Sequence, residues 1–122
     1  MRLLSIVLTI MFVVGSALPA GAASFPSPAD WRDENIYFIF TDRFNDGDPA
    51  NNNAESGTGA PYAPTNSRGI HGGDLKGIEK KVDYLRSLGV TAIWMTPIPL
   101  NVGGSAYHGY GAKDFYKLAP HL

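Results

Sequence analysis

Asp74–Met95 reads DLKGIEKKVDYLRSLGVTAIWM, and this stretch decides the fold. Leu75, Ile78, Val82, Leu85 and Leu88 recur at steps of three and four residues, with Lys76, Glu79, Lys80, Asp83 and Arg86 on the other face. That spacing predicts an amphipathic helix. Asp74 stands where an N-cap belongs, and Gly89 stands where the left-handed residue that ends a helix belongs. Val90 to Met95 is mostly apolar and rich in β-branched residues, so it predicts a strand, stopped by Pro97 and Pro99.

Working outward, Ile36-Tyr37-Phe38-Ile39-Phe40 is a continuous apolar and aromatic run. It predicts a first strand buried on both faces, as in a parallel sheet. Strand, helix and strand form a right-handed βαβ unit. Between them, Asp42 to Gly73 shows no sustained period and predicts an unusually long loop. No further helix or strand is predicted after Met95. Two parallel strands do not make a stable sheet, so the fold class is α/β and the chain is expected to be the front of a larger domain. In a (β/α)8 barrel, the loops leaving the C-terminal ends of both strands would build the site.

The amino terminus predicts an export signal. Arg2 supplies a positive charge, Leu3 to Val14 is nearly all apolar, and Ala20-Gly21-Ala22 has the small-x-small form of a cleavage site. The apolar run is too short to span a bilayer comfortably. Residues 1–22 or 1–23 are therefore expected to be a signal peptide, and residues 24–122 the mature domain. Without Arg2 the chain carries nine basic and eleven acidic side chains and no basic run. That balance argues against nucleic acid or an anionic membrane surface as a partner. There are no cysteines. An exported chain without disulfides must hold a long loop by packing, hydrogen bonds or a metal.

The loop opens with TDRFNDGDPANNN, Thr41 to Asn53, which holds seven carboxylates and carboxamides in thirteen residues. It is not an EF-hand, because Asn51 stands where glycine is required and Gly57 where the bidentate glutamate belongs. Asp46, Asp48, Asn51 and Asn52 remain candidate oxygen ligands for calcium, completed from Gly72-Gly73-Asp74; an Asx-rich turn serves the same composition. Asp74 fits a helix cap as well as a ligand, since a carboxylate has lone pairs for both. Tyr107-His108-Gly109-Tyr110 suits sugar recognition, with rings to stack and an imidazole to bond hydroxyls, although aromatic clusters also fill cores. Asp42 and Arg43 read as a structural pair, Asp114 as a hydrogen-bonded structural acid, Trp31 and Trp94 as core, and His71 and His121 as ordinary loop residues. No pair of carboxylates stands out for glycoside cleavage.

Taken in order, IYFIFTDRFNDGDPANNN, HGGDLKGIEKKVDYLRSLGVTAIWMTPI and YHGYGAKDFYKLAPHL resemble the N-terminal part of the alpha-amylase family, glycoside hydrolase family 13. The resemblance covers residues 35–122 and is closest in look to secreted bacterial alpha-amylases and cyclodextrin glucanotransferases. It implies a (β/α)8 (TIM) barrel acting on alpha-1,4-glucans such as starch by a retaining mechanism, of which this chain would be an N-terminal fragment. It implies that Asp46, Asp48, Asn51, Asn52, the carbonyl of Gly72 and Asp74 hold calcium. It further implies that Tyr110 stacks on the sugar whose bond is cut while His108 bonds a hydroxyl. Asp48 stands where several relatives have asparagine, and Gly111 where many have tryptophan. The catalytic carboxylates implied by the resemblance follow later strands, so residues 1–122 are expected to contain none and to be inactive alone. Two other readings remain: the front of a cyclodextrin-forming transglycosylase, and a secreted calcium- or glucan-binding protein without catalysis.

Overall fold

The computed structural model describes residues 26–55 and 60–122; the expected signal peptide, residues 1–23, lies outside them. Strand β1 (Ile36–Ile39) pairs in parallel with β2 (Ala92–Met95), in the register Ile36–Ala92 to Ile39–Met95. Between them run a one-turn helix α1 (Thr41–Phe44) and the helices α2 (Leu75–Lys80) and α3 (Val82–Ser87). A short antiparallel pair follows, β3 (Pro99–Leu100) with β4 (Asp114–Leu118). Among the described residues the strands form these two two-stranded sheets and no closed barrel.

The predicted helix is present but interrupted at Lys81, where φ −108° and ψ 6° leave the helical region. Its ends are as the side chains dictate. Asp74 caps the first turn by accepting from the Gly77 amide. At the other end Gly89 adopts φ +79°, its amide donates to the Arg86 carbonyl, and the Val90 amide donates to the Leu85 carbonyl. These two bonds are the paired 5→2 and 6→1 closures of a Schellman motif, and Val90 packs back on the cluster containing Leu85.

The core is built from one face of each element. Ile39, Ile78 and Leu85 are buried, with Tyr37, Phe44, Leu75, Val90 and Met95 against them. Each fully buried aliphatic side chain contributes about 1.5–3 kcal/mol. The expectation that both strand faces are buried is corrected: the alternate face exposes Ile36, Phe38 and Trp94, because among the described residues no layer covers it, and Ile93, beside Tyr37 on the core face, is itself exposed. Phe38 and Trp94, register partners, pack edge to face there at 6.0 Å. Trp94 and Trp31 are therefore exposed rather than core, as are Val82 and Leu88 on the helix. The β3–β4 pair is a second correction. Asp114 opens β4 as a hydrogen-bonded acid, accepting from the Tyr116 amide at 2.9 Å.

Threonines fasten both ends of the parallel pair. At the N-terminal ends, the Asn35 amide donates to Thr91 Oγ1 at 2.8 Å and the Thr91 amide to the Asn35 carbonyl at 3.0 Å. At the C-terminal ends, the Thr41 amide donates to Thr96 Oγ1 and the Thr96 hydroxyl donates to Thr41 Oγ1, each at 3.1 Å, both residues buried. The two site-bearing segments leave the sheet from this second clamp.

Candidate functional site

The loop after α1 lies directly on the first turn of α2. A side-chain carbon at Gly77 would stand 1.7 Å from the Asn45 carbonyl oxygen, so only glycine permits the crossing. Asp74, fully buried, ties the crossing together. Its Oδ1 accepts from the amides of Gly77 (2.5 Å) and Gly47 (3.0 Å). Its Oδ2 accepts from the Asp48 amide (2.8 Å) and from Asn51 Nδ2 (3.2 Å). Four donors satisfy the carboxylate, which is cap and loop clip at once.

The two asparagines turn their amide groups toward carboxylates. Asn51 donates to Asp74, and Asn52 donates to Asp46 Oδ2 at 2.9 Å. Their carbonyl oxygens, Asn51 Oδ1 and Asn52 Oδ1, are buried with no hydrogen-bond partner. Leaving a buried acceptor unmet costs about 1–3 kcal/mol, and a cation satisfies such oxygens. Gly72 stands against Asn52, since a side-chain carbon there would lie 2.6 Å from Asn52 Oδ1. The Gly73 amide donates to the Asp42 carbonyl at 2.9 Å. Because the intervening peptide is trans and planar, the Gly72 carbonyl points the opposite way. Asp48 is engaged separately: Oδ2 pairs with Lys76 at 3.2 Å and Oδ1 accepts from the Ala50 amide. The Lys76 hydrogen bond, then the Ala50 bond and the ammonium charge, hold the Asp48 carboxyl below its ordinary value. Among the described residues no three Asp, Glu, His or Cys side chains are placed to hold one metal ion, so carboxamide and carbonyl oxygens are essential to any cation site here.

The second group lies after β2. Gly109, at φ +80°, brings the chain so close to Pro97 that a side-chain carbon would stand 2.0 Å from its carbonyl oxygen. That bend places His108 and Tyr110 side by side, with ring centroids 5.8 Å apart. The Tyr110 amide donates to His108 Nδ1 at 2.9 Å. In the neutral imidazole the proton is then on Nε2, which becomes a donor. Tyr110 is 64% exposed, as a stacking surface requires. Tyr107 meets His108 edge to face at 4.7 Å and stacks on Phe40 at 6.1 Å, with planes 13° apart. Phe40 follows β1 and Tyr107 follows β2, so this stack joins the two segments that leave the sheet at the same end.

Two features exceed the sequence reading. Asp42 and Arg43 are a pair, as expected, but Asp42 Oδ1 also accepts from the amides of His71 (2.9 Å) and Gly72 (3.1 Å). His121 is not an ordinary loop residue: it is buried, with Nδ1 2.9 Å from Glu55 Oε1, a contact spanning 66 residues. No local spacing encodes that contact; a lone histidine beside a chain-reversing Ala-Pro is its only trace.

Comparison with known proteins shows the family. Residues 38–122 match the model of the alpha-amylase catalytic domain. The chain is 47% identical to a cyclomaltodextrin glucanotransferase of Klebsiella oxytoca over 99 residues, covering 76% of this chain and 15% of that protein. It is 38% identical to the periplasmic alpha-amylase of Escherichia coli over 105 residues, covering 75% and 15%. The solved alpha-amylase of Anoxybacillus superposes with a TM-score of 0.68 at 45% identity, covering 78% of this chain and 19% of that one. The chain thus spans about one-seventh of the length of the two curated relatives.

Proposed function

The chain belongs to the alpha-amylase catalytic-domain family, and on that premise we propose that it forms the N-terminal part of a (β/α)8 barrel that cleaves alpha-1,4-glucans with retention. The observation that carries this is the meeting of the oxygen-rich loop and the ring cluster at the C-terminal ends of β1 and β2, the end that bears chemistry in such barrels. The exposed Phe38–Trp94 face supports it as well, since the sheet face opposite the helices turns inward when a barrel closes.

In this reading Tyr110 stacks on a glucose ring and His108 Nε2 donates to one of its hydroxyls. The two carboxylates that retaining cleavage requires, spaced ~5 Å apart, lie outside residues 1–122, so this segment binds and positions. Calcium fits the loop through Asp46, the orphaned Asn51 and Asn52 oxygens and the Gly72 carbonyl; Asp48, paired with Lys76, and Asp74, whose four acceptor positions are filled, would join only by exchanging a present partner for the ion. When bound, calcium supplies charge that satisfies those oxygens and braces the loop. Export is part of the proposal, supported by the Arg2 to Ala23 pattern and by the periplasmic relative. Among the described residues no helix is long and apolar enough to cross a membrane.

The test is expression of the complete reading frame that begins at Met1, followed by assay of soluble starch for released reducing ends and for cyclic products. Alpha-glucan turnover is expected; a cooperatively folded product without it overturns the reading. Cyclic products would favour the glucanotransferase alternative, which the 47% identity to the Klebsiella enzyme supports.

A further inference from the structure

Arg43 lies between the two functional groups: it touches the ring cluster directly and reaches the Gly72–Gly73 segment through Asp42. Its Nη2 donates to the Ser67 carbonyl at 2.8 Å and its Nη1 to the Gly69 carbonyl at 3.0 Å. Nη1 also binds Asp42 Oδ2. The guanidinium carbon lies 5.0 Å from the Tyr107 ring centroid and 5.5 Å from that of Phe40. Asp42, 1% exposed, meanwhile holds the amides of His71 and Gly72 with Oδ1 and that of Gly73 with its carbonyl. A carboxylate so buried is tolerated only when paired and fully hydrogen-bonded, and it is both. The contacts therefore run from the Gly72–Gly73 peptide through Asp42 and Arg43 to Tyr107, and from Tyr107 edge to face to His108.

We propose that Asp42 and Arg43 are a positioning pair that locks the ring cluster Tyr107–His108–Tyr110 to the segment closing the oxygen-donor loop, so that a divalent cation held by the loop tightens alpha-glucan binding. The proposal rests on the reading of the two sites given above. Neither residue is assigned to the chemistry; both act through the groups they hold. The planar guanidinium is what the role demands, because it offers donors in its plane to two carbonyls and a carboxylate while its face covers two rings. A lysine ammonium keeps the charge and loses both the fork and the plane. Coupling of this kind is reciprocal: if the cation tightens sugar binding by some factor, sugar tightens cation binding by the same factor.

The experiment uses the complete protein and two substitutions, Arg43→Lys and Asp42→Asn. Calorimetry measures affinity for a non-cleavable thio-linked maltooligosaccharide with calcium and with a chelator, and steady-state kinetics on maltoheptaose separate KM from kcat. In the wild type, calcium is expected to tighten the thio-sugar about tenfold, a typical coupling. In Arg43→Lys, KM rises roughly tenfold with kcat within about threefold, and the calcium effect on sugar affinity falls below about twofold. Asp42→Asn keeps an oxygen for the His71 and Gly72 amides but breaks the ion pair, so it loses the same coupling and serves if the lysine variant does not fold. Variants that retain the wild-type calcium effect overturn the positioning role, as does a wild type whose sugar affinity ignores calcium. A wild type that binds neither sugar nor calcium overturns the functional reading itself, which separates the two failures.

Discussion

Replacing Asp74 by asparagine tests how the loop is held. The carboxylate accepts four hydrogen bonds, two at each oxygen. A carboxamide of the same shape has one oxygen and one NH2 group. If its oxygen faces Gly77 and Gly47, the helix cap survives, but the NH2 then confronts the Asp48 amide and Asn51 Nδ2, donor against donor. If it turns over, those two are satisfied and the Gly77 and Gly47 amides are orphaned. Either way two of four donors lose their acceptor, at about 1–2 kcal/mol each given that one pair is only partly buried. The remaining two bonds also lose charge assistance. The expected destabilisation is ~2–4 kcal/mol, against about 1 kcal/mol for loss of a helix cap alone. The assay is urea unfolding of the complete protein in chelator, so that no cation contributes; the midpoint should fall with the m-value unchanged. An asparagine variant within ~0.5 kcal/mol of wild type, the ordinary range for a surface change, would refute the clip.

Three other outcomes are expected. In Asp46→Ala the partner of Asn52 is gone, and a melting temperature that drops on chelation in the wild type should no longer respond; the wild-type stabilisation is about 3–4 kcal/mol at a hundred- to thousandfold excess over the dissociation constant. Gly109→Ala forces a side chain into a left-handed position against the Pro97 carbonyl, at ~1–3 kcal/mol for the strain alone, and should weaken maltooligosaccharide binding measured by calorimetry. Lys76→Gln removes the main cause of the lowered Asp48 pKa, so the carboxyl midpoint followed by NMR should rise toward its ordinary 3.8. Because a depressed folded value gives stability that is lost as pH falls through it, the variant should lose less stability than wild type below about pH 4.

Sequence alone carried what is local or periodic. The step of three and four from Leu75, the cap at Asp74 and the stop at Gly89 are encoded within a few residues of where they act, and each is present. The parallel pairing followed from βαβ order, and the candidate site residues came from motifs that resemble those of the alpha-amylase family. The break at Lys81, the β3–β4 pair and the exposure of Trp31 and Trp94 were not legible, because they depend on which surfaces meet. A hydrophobic run states that a face prefers burial; only the arrangement of neighbours decides whether anything covers it, and the Phe38–Trp94 face is uncovered among the described residues. The same limit applies to polar groups. That Asp74 takes four donors, that Asn51 and Asn52 keep unmet oxygens, that Glu55 meets His121 and that Arg43 spans two carbonyls and two rings are contacts between residues mostly more than twenty positions apart. Hydrogen bonds act over ~3 Å and depend on direction, so they are settled only when the chain has closed on itself.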